Sequence, residues 1–501
     1  MSPDNDSPQD LAGRVSKLTS ILDVAKAMAA ARDLDLLLPL IIYEAAKVVD
    51  ADRCTLFILD RERAELWSKV AQGASHEIRV KLGKGIAGSV AETGQVINIT
   101  DAYEDERFNR TFDIQSGYRT TAILAVPMRD ANGDVTGVIQ ALNKHSGGPF
   151  DAEDEELLLA LGSQAAGAIE NALLHEEINR LFEGFVSASV VAIESRDPTT
   201  AGHSGRVAAL TVGLAGALEH QATGPYARVC FGIQDVQEMR YASLLHDFGK
   251  VGVREHVLVK AEKLYPQELD ALRARFALAR KDRQLRSAER RLEAAREGKL
   301  LAALEREEME RLTTELRELD ETLEFVLACN RPTVLPSGGF ERLVDLGRKS
   351  FRDEREGEHP LLLPREVDRL SIPRGSLSSE ERLEIESHVS HTFRFLSQIP
   401  WTRTLKRVPE IAYAHHERLN GSGYPRKIPS ETIPVQSKMM AISDVYDALT
   451  AADRPYKKAV PHPAALDILH QEARSGMLDG ELLRIFVEAE VPRRALRPPV
   501  L

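Results

Sequence analysis

Two adjacent histidines in the C-terminal part of the chain, His415 and His416, have the residue type expected of metal ligands. Imidazole is the side chain that most often binds metals near neutral pH. Successive side chains on a helix point about 100° apart, so the pair can hold one ion only where the helix ends or bends. The loop Gly421-Ser422-Gly423-Tyr424-Pro425 supplies such an end. Taken alone, the pair is also typical of a solvated helix terminus with two titrating histidines.

Other helical segments carry histidines and aspartates beside apolar neighbours, and these residues extend the candidate metal-binding set. In chain order the candidates are His203, His246, Asp247, His388, His415, His416 and Asp444. Buried imidazoles and carboxylates are costly unless they are paired, so gathering them around cations is favourable. Facing helices of a bundle can build a two-metal site, and ligands without thiolates suit iron or manganese better than structural zinc. Two such ions would activate water and polarise a phosphoryl oxygen.

The length, composition and charge indicate a multidomain intracellular protein. At 501 residues the chain is too long for one core, and about three domains are expected. The formal net charge of −12 argues against a nucleic-acid polymer as partner. Three distant cysteines form no disulfide framework, which favours the cytoplasm. The first residues lack a signal-peptide pattern and the longest apolar run, Leu36 to Ile42, is too short for a bilayer, so no membrane association is predicted.

The N-terminal third alternates between helical and strand patterns. Apolar spacing predicts a helix over 15–49 and another from Ala152 to Phe182. Between them, short strands are predicted at 54–59, 65–70, 77–82, 96–99, 121–128 and 135–142, with the last two turning at Asn132-Gly133. A helix, an antiparallel sheet and a second helix are the layout of an α+β sensor domain.

Residues 15–175 resemble the GAF family of small-molecule sensor domains. The resemblance rests on Asn143, Lys144, Phe150, Asp154 and Glu155, which match a pattern found in GAF domains that bind cyclic nucleotides. It implies a cyclic nucleotide as a possible ligand. Alternatively, a pair of Lys144 with Asp154 or Glu155 could clamp a strand to the following helix, and the domain could serve dimerisation or bind another ligand. The helix continues through a connecting segment, 176–185, which is a candidate seam for a parallel homodimer or a plain connector.

The C-terminal part shows helical patterns with almost no strand signal. Helices are predicted at about 186–218, 242–250, 408–416, 435–452 and 462–488, and a further helix that carries His388 is predicted to begin at Ser378 or Ser379. Residues 265–327 are rich in Arg, Glu and Lys, and Leu278, Leu285 and Leu292 recur every seven residues, which predicts an antiparallel helical hairpin of coiled-coil type. Residues 328–377 contain many Pro and Gly and are predicted to be loop-rich.

Residues 186–488 resemble the HD-GYP family, a branch of the HD phosphohydrolases that cleaves cyclic di-GMP. The matching motifs, in order, are His246-Asp247 with Gly249-Lys250, Gly423-Tyr424-Pro425, Asp444-Val445-Tyr446-Asp447-Ala448-Leu449-Thr450 and Asp453-Arg454-Pro455-Tyr456-Lys457. The expected architecture is multidomain: an α+β GAF domain with an antiparallel sheet flanked by helices, joined by a long helix to an all-α HD-GYP bundle with an inserted helical hairpin. The expected segments are a disordered tail (1–14), the GAF domain (15–175), the connecting helix (176–185), the bundle (186–264 and 378–488), the hairpin (265–327), the loop-rich insertion (328–377) and a second tail (489–501).

The resemblance also implies a role for each matching residue. One metal would be held by His203, His246, Asp247 and Asp444, and the second by His388, His415 and His416, with Asp247 as the bridge. Lys250 would stabilise charge beside the hydroxide between the metals. Tyr424, Arg454 and Lys457 would contact the substrate, although Tyr424 could also pack its loop and Arg454 could pair with a neighbouring aspartate.

Two departures from the family pattern qualify this expectation. Members with three metals carry a glutamate four residues before the first histidine, where this chain has Thr199, so two metals are predicted and the product could be pGpG rather than GMP. The insertion after Lys263 could cover the mouth of the active site, mediate dimerisation or have no catalytic role. The sequence therefore leaves three possibilities: a cyclic di-GMP phosphodiesterase regulated by its sensor domain, a cyclic-dinucleotide receptor with little turnover, and a hydrolase of a related substrate such as 3′,3′-cyclic GMP-AMP.

Overall fold

The computed structural model describes residues 26–28, 33–68, 77–196, 201–298, 302–335, 338–353, 357–451 and 459–496. The chain divides into two compact units, with the boundary between Gly184 and Phe185. The predicted tail at 1–14 lies outside the described residues.

The first unit is built on one six-stranded antiparallel sheet. Its strands are β1 (Ala51–Asp60), β2 (Glu65–Ser68), β3 (Ile78–Lys81), β4 (Ile97–Ile99), β5 (Ile123–Arg129) and β6 (Val135–Lys144). They lie in the order β3-β2-β1-β6-β5-β4. The helices of this unit are α1 (Leu34–Val48), α2 (Gly85–Thr93), α3 (Thr111–Ser116) and the first part of α4 (Ala152–Arg196). The six predicted strands are therefore confirmed, with most ends shifted by a few residues.

Helices cover both faces of this sheet. Successive side chains of a strand point to opposite faces, and β5 shows the result. Leu124 and Val126 belong to the core formed with α1 and α4, whereas Ile123 and Ala125 belong to the core formed with α2. Strand β5 is therefore buried on both sides.

The prediction of one helix over 15–49 is wrong at Asp33. This residue has an extended backbone, and its carboxylate accepts a hydrogen bond from the amide of Asp35 at 2.8 Å, so it caps a new helix, α1. Aspartate at this position satisfies amide groups that a helix start leaves unpaired. The sequence carries this signal, but the continuous apolar spacing obscures it.

Helix α4 extends over 45 residues, from Ala152 to Arg196, so the predicted continuity past Phe182 is confirmed. Among the described helices it alone is long and apolar enough, by length and composition, to cross a membrane. Half of the relevant window is buried inside the protein, and core helices of soluble proteins often have the same properties. This is weak support for a membrane span.

The second unit is mostly helical. After α4, its helices are α5 (His203–Leu218), α6 (Ile233–Leu245), α7 (Glu255–Leu258), α8 (Pro266–Arg296), α9 (Ala302–Asn330), α10 (Gly339–Gly347), α11 (Pro364–Leu370), α12 (Ser379–Leu396), α13 (Val408–Tyr413), α14 (Val435–Thr450), α15 (His462–Arg474), α16 (Gly480–Glu488) and α17 (Val491–Ala495). Two short strands, β7 (Ser350–Arg352) and β8 (Glu358–Pro360), pair antiparallel. One core cluster joins α5, α6, α14, α15 and α16.

Several predicted boundaries in this unit need correction. The pattern over 186–218 is interrupted: α4 ends at Arg196, and α5 starts at His203 after Gly202, whose left-handed backbone favours glycine. The segment predicted at 242–250 starts earlier, at Ile233, and leaves the α-helix after Leu245. The segment at 462–488 is two helices, and the predicted tail after 488 contains α17, whose Val491 is buried in the core.

The insertion is more ordered than predicted. Helices α8 and α9 form the expected antiparallel hairpin and contact each other. The segment 328–377, however, contains α10, α11 and the β7–β8 hairpin. These elements share a core with the base of the hairpin, because the apolar residues Leu343, Phe351 and Leu362 pack with Phe276 and Val326. A separate core of this kind makes the insertion a small subdomain.

Candidate metal centre

Helices α5, α6, α12, α13 and α14 of the second unit, with the residues that directly follow α6 and α13, bring together all seven residues predicted as metal ligands. They form three overlapping groups: His203 with His246 and Asp444, His388 with His415 and His416, and His246 with Asp247 and His415. In each group one potential ligand atom per residue lies within 4.8 Å of the others. This spacing fits side chains that surround small cations.

Asp247 lies between the histidines of the two outer groups. Its Oδ1 atom is 3.3 Å from His388 Nε2, and its Oδ2 atom is 3.4 Å from His246 Nε2 and 3.8 Å from His203 Nε2. The residue is 4% exposed. It therefore occupies the position expected of a ligand shared by two metals.

Local backbone geometry orients three of the imidazoles. The Nδ1 atoms of His246, His388 and His415 lie 2.6–2.7 Å from the carbonyl oxygens of Ser243, Ile385 and Ala412, each three residues earlier in the chain. A carbonyl oxygen can only accept, so Nδ1 carries the proton in each ring. Each Nε2 atom is then left with a lone pair directed into the cluster.

These Nε2 atoms are the clearest sign that the site suits metals. The Nε2 atoms of His246, His388 and His415 are buried and have no hydrogen-bond partner among the described residues. Buried polar atoms are normally paired, so unpaired ones call for an explanation such as an ion. A set of imidazole and carboxylate ligands without cysteine fits a divalent ion such as iron or manganese.

Burial and mutual repulsion keep several of these histidines neutral. Burial lowers the pKa of His415 to about 3, and the neighbouring His246 and His388 act in the same direction. Burial likewise lowers the pKa values of His246 and His416. Neutral imidazole is the form that binds a metal, so the site does not have to release protons from these three rings.

The carboxylates behave in the opposite way. Burial disfavours the charge on Asp247, but the nearby Lys250 and histidines outweigh it and hold the pKa of Asp247 well below its usual range. The Nζ atom of Lys250 is 2.9 Å from Asp247 Oδ2. Burial also opposes the charge on Asp444, and His203 outweighs it, so the pKa of Asp444 is lowered too.

Of the predicted substrate-contacting residues, Tyr424 reaches the centre. Its ring centroid is 4.7 Å from that of His416 and 6.4 Å from that of His388. Arg454 and Lys457 lie outside the described residues, as does Thr199. The backbone amide of Tyr424 donates to the carbonyl oxygen of His416 at 3.2 Å, which holds the loop beside the histidine pair.

Three further groups position the centre and were not assigned from the sequence. Gly249 packs its backbone against α12, where its amide donates to Thr392 Oγ1 at 2.8 Å. Glu417, next to the histidine pair, accepts from amides that follow the Tyr424 loop. Oδ2 of Asp447 lies 2.8 Å from Nδ1 of His203. Asp447 lies within a matched motif, and its spacing of three from Asp444 on a helix is a signal that could have identified it.

The side chains of four GAF candidates form contacts within the first unit. The Nζ atom of Lys144 pairs with Asp154 Oδ2 at 2.5 Å, and Phe150 is buried in the core. Asn143 Oδ1 accepts from the Thr121 amide at 2.7 Å, and its Nδ2 atom donates to the Arg119 carbonyl oxygen. These contacts join β6 to α4 and to the segment before β5. A ligand role for Asn143, Lys144, Phe150, Asp154 and Glu155 stays a prediction.

Comparisons with protein families agree with this two-part organisation. Residues 33–169 match the model of the GAF domain, and residues 360–482 match that of the HD domain. The second match includes His388, His415, His416 and Asp444, whereas the segment that carries His203, His246 and Asp247 precedes it.

Similar curated proteins are named as cyclic nucleotide phosphodiesterases. A probable 3′,5′-cyclic phosphodiesterase of Caenorhabditis elegans, pde-5, is 38% identical over 165 residues, which cover 30% of this chain and 22% of that protein. The dual 3′,5′-cyclic-AMP and -GMP phosphodiesterase 11A of Takifugu rubripes is 41% identical over 140 residues, covering 25% of this chain and 16% of that protein. The matched stretch thus spans less than a quarter of each of these relatives.

Solved GAF domains also resemble part of the chain. That of a phosphoenolpyruvate-protein phosphotransferase from Coxiella burnetii matches with a TM-score of 0.29 and 24% identity, covering 32% of this chain and 96% of that one. The corresponding domain from Acinetobacter matches with a TM-score of 0.28 and 20% identity, covering 32% of this chain and 98% of that one. The family matches show that the chain combines a GAF domain, built on an antiparallel sheet with helices, with a mostly helical region that contains an HD domain.

Proposed function

We propose that this protein is a metal-dependent phosphodiesterase that hydrolyses cyclic di-GMP in the cytoplasm, under the control of its GAF domain. The observation that carries the proposal is the position of Asp247 between two groups of histidines. Three of these histidines, His246, His388 and His415, have buried Nε2 atoms without a hydrogen-bond partner among the described residues. Two divalent ions, iron or manganese, would be held by His203, His246 and Asp444 on one side and His388, His415 and His416 on the other, with Asp247 shared.

The chain's own residues supply the rest of the catalytic arrangement. When bound, two such ions polarise a phosphoryl oxygen and lower the pKa of water. Asp247 keeps its charge although it is buried, because Lys250 and the neighbouring histidines lower its pKa. Lys250 places an ammonium group beside Asp247, where it can stabilise negative charge that develops on the phosphate. Tyr424 offers an aromatic face next to His416, where a substrate base or ribose can pack.

The choice of cyclic di-GMP rests on the set and order of the motifs. The HD pair, the Gly-Tyr-Pro loop and the later Asp-rich motif follow one another as in the HD-GYP family, and the loop lies beside the cluster. Thr199 occupies the position of the third-metal glutamate in that family. We therefore expect two metals, with pGpG as the main product.

A second candidate substrate is a 3′,5′-cyclic mononucleotide. The names of the similar proteins from Caenorhabditis elegans and Takifugu rubripes favour it, because both are phosphodiesterases of that class. The same cluster could hydrolyse either kind of phosphodiester, since the reaction at phosphorus is the same.

The test is a substrate panel with the full chain. Purified protein, loaded anaerobically with ferrous iron or with manganese, is incubated with cyclic di-GMP, 3′,3′-cyclic GMP-AMP, cyclic AMP and cyclic GMP, and the products are separated by chromatography. We expect cyclic di-GMP to be consumed fastest and pGpG to accumulate. If another compound of the panel were cleaved faster, that compound would be the substrate instead of cyclic di-GMP. Saturable binding of cyclic di-GMP without turnover would indicate a receptor rather than an enzyme.

Asp247→Asn provides the control for this assay. Because one shared carboxylate oxygen is replaced by an amide, we expect metal content and turnover to fall together. Asp320→Asn removes a carboxylate that pairs with Arg280 on the exposed hairpin, so it should leave both unchanged. Full activity in Asp247→Asn would contradict the proposed centre.

Two further parts of the proposal concern regulation and assembly. Cyclic AMP or cyclic GMP is proposed as the GAF ligand. The test is whether turnover changes when the nucleotide is added at concentrations where it is not itself cleaved.

We also propose a homodimer through α4, supported by the exposed apolar side chains of Leu174, Ile178, Leu181 and Phe185 at spacings of three and four. Leu181→Glu should then shift the protein to monomer in light scattering.

A further inference from the structure

One of the cluster imidazoles is oriented by a different kind of group from the others. His246, His388 and His415 each place Nδ1 against a backbone carbonyl oxygen three residues earlier. His203 is the first residue of α5. Its Nδ1 atom instead lies 2.8 Å from Oδ2 of Asp447 on α14.

The carboxylate of Asp447 is itself held in place. Asp447 is 2% exposed, and its carboxylate receives two hydrogen bonds from Arg206, from Nε to Oδ1 at 2.6 Å and from Nη2 to Oδ2 at 3.1 Å. A buried carboxylate is costly unless it is paired, and a two-point contact with arginine also defines its orientation.

The four residues form a regular pattern across two helices. His203 and Arg206 are one turn apart on α5, and Asp444 and Asp447 are one turn apart on α14. The Nε2 atom of His203 is 3.2 Å from Asp444 Oδ1, while its Nδ1 atom binds Asp447. One turn of α14 thus offers a candidate metal ligand and the group that orients the ligand beside it.

We propose that Asp447, held by Arg206, is a positioning residue that fixes the ring of His203 so that, with a metal bound, Nδ1 keeps its proton and Nε2 offers its lone pair to the ion. A carboxylate behind an imidazole also raises the basicity of the metal-binding nitrogen, which a neutral carbonyl does less strongly. The effect is local to His203. The metal held by His203, His246 and Asp444 therefore binds more tightly than it would without Asp447.

This inference rests on the proposed metal centre, and metal affinity tests it separately from catalysis. Apo protein is titrated with manganese, and free manganese is followed by electron paramagnetic resonance, for the wild type and for Asp447→Asn. The asparagine keeps the shape but weakens the acceptor and removes the charge. We expect one of the two sites to weaken by about 10- to 100-fold and the other to change little. Turnover of the variant should recover as manganese is raised.

Asp479→Asn is the matched control. Asp479 is a structural carboxylate in the same unit that caps α16 and accepts from Tyr226 Oη at 2.6 Å, and asparagine is also a good helix cap. Its manganese affinities should equal those of the wild type. The positioning role would be overturned if the wild type bound two ions and Asp447→Asn bound both of them as tightly as the wild type does. A wild type that binds no manganese would instead refute the proposed function.

Arg206→Gln gives a second, independent readout. If Arg206 acts by holding Asp447, its loss should weaken the same manganese site and no other. Combining it with Asp447→Asn should add little further loss, because both variants disturb one arrangement. Additive losses would show that Arg206 acts elsewhere.

Discussion

The backbones of Gly249 and His388 are in direct contact. A Cβ atom placed on Gly249 would lie 1.9 Å from the carbonyl oxygen of His388, closer than any real contact. The same crossing is closed by Thr392, whose Oγ1 accepts from the Gly249 amide and donates to the carbonyl oxygen of His246. Glycine at this position thus allows the segment that carries His246 and Asp247 to approach the helix that carries His388.

Gly249→Ala should therefore separate the two halves of the centre. We expect a loss of about 1–3 kcal/mol in stability from overpacking, together with weaker metal binding, because α12 must move away from Asp247. Urea unfolding and metal titration measure the two effects. Gly216→Ala is the control: a Cβ atom added to this helical glycine would meet no neighbouring heavy atom within 4 Å, so the variant should gain up to about 1 kcal/mol. Normal stability and metal content in Gly249→Ala would contradict the steric argument.

The sequence indicated the residues that gather in the candidate metal centre better than the groups that position them. Ligands such as His246 and Asp247 belong to short motifs, and their residue types indicate their chemistry directly. The role of Gly249 depends on which helices cross, and spacing along one chain does not contain that information. The spacing of three places Asp447 on the same face of α14 as Asp444, but it does not show that His203 lies beside it. The same limit explains the insertion: the apolar residues of α10 and β7 form a core only when they meet the hairpin base, so their separate short segments resemble loops in the sequence.

The predicted helix boundaries also differ from those in the structure. The apolar spacing over 462–488 predicts one helix because it continues across Asp479. In the structure, Asp479 accepts from the amides of Glu481 and Leu482 and starts α16. Capping residues interrupt a helix without changing its hydrophobic pattern, so a prediction based on periodicity overlooks them.

Removal of the ammonium group of Lys250 tests its electrostatic role. Lys250→Met keeps most of the side-chain volume, and the candidate metal ligands remain, so both metals should still bind. Turnover should fall by about 100-fold or more, the usual cost of losing one group that stabilises transition-state charge. Lys281→Met, on the exposed face of α8, is the control for a lost positive charge. Steady-state kinetics with metal analysis of the same samples decides the point, and unchanged turnover would exclude Lys250 from catalysis.

Glu417 is expected to hold the loop that carries Tyr424. It is 3% exposed, and its two carboxylate oxygens accept from the amides of Arg426 at 2.8 Å and Ile428 at 3.3 Å. In Glu417→Gln, one acceptor becomes an amino group facing an N–H donor, which should cost about 1–3 kcal/mol. We expect KM for the substrate to rise while metal content stays constant.

Glu410→Gln separates this effect from a general loss of charge. Glu410 accepts a hydrogen bond at 2.7 Å from the Nη1 atom of the same residue, Arg426. Unlike Glu417, Glu410 is accessible to solvent. Exposed pairs of this kind contribute about 0–1 kcal/mol. Equal effects of the two variants on KM would show that loop anchoring by Glu417 is not the cause.

Glu381, at the junction between the insertion and α12, should make stability depend on pH. Its carboxylate accepts from Lys260 Nζ at 2.7 Å and from Tyr265 Oη at 2.8 Å. Burial raises the pKa of Glu381, but the hydrogen bonds from Lys260, the Ser378 amide and Tyr265 outweigh it, so the pKa lies below the ordinary value of 4.5. A carboxyl group whose pKa is lower in the folded state stabilises the protein above its unfolded pKa, and this contribution disappears as the pH falls through the folded pKa.

Glu381→Gln should therefore be less stable than the wild type at neutral pH, and the difference should shrink as the pH falls below 4.5. Urea unfolding of both proteins across this range measures the difference directly. The neighbouring Glu380→Gln, which alters an exposed carboxylate on the same helical turn, should show a small difference that does not change with pH. A constant difference for Glu381→Gln would mean that its effect comes from packing, because protonation of the wild-type carboxylate removes only the electrostatic part.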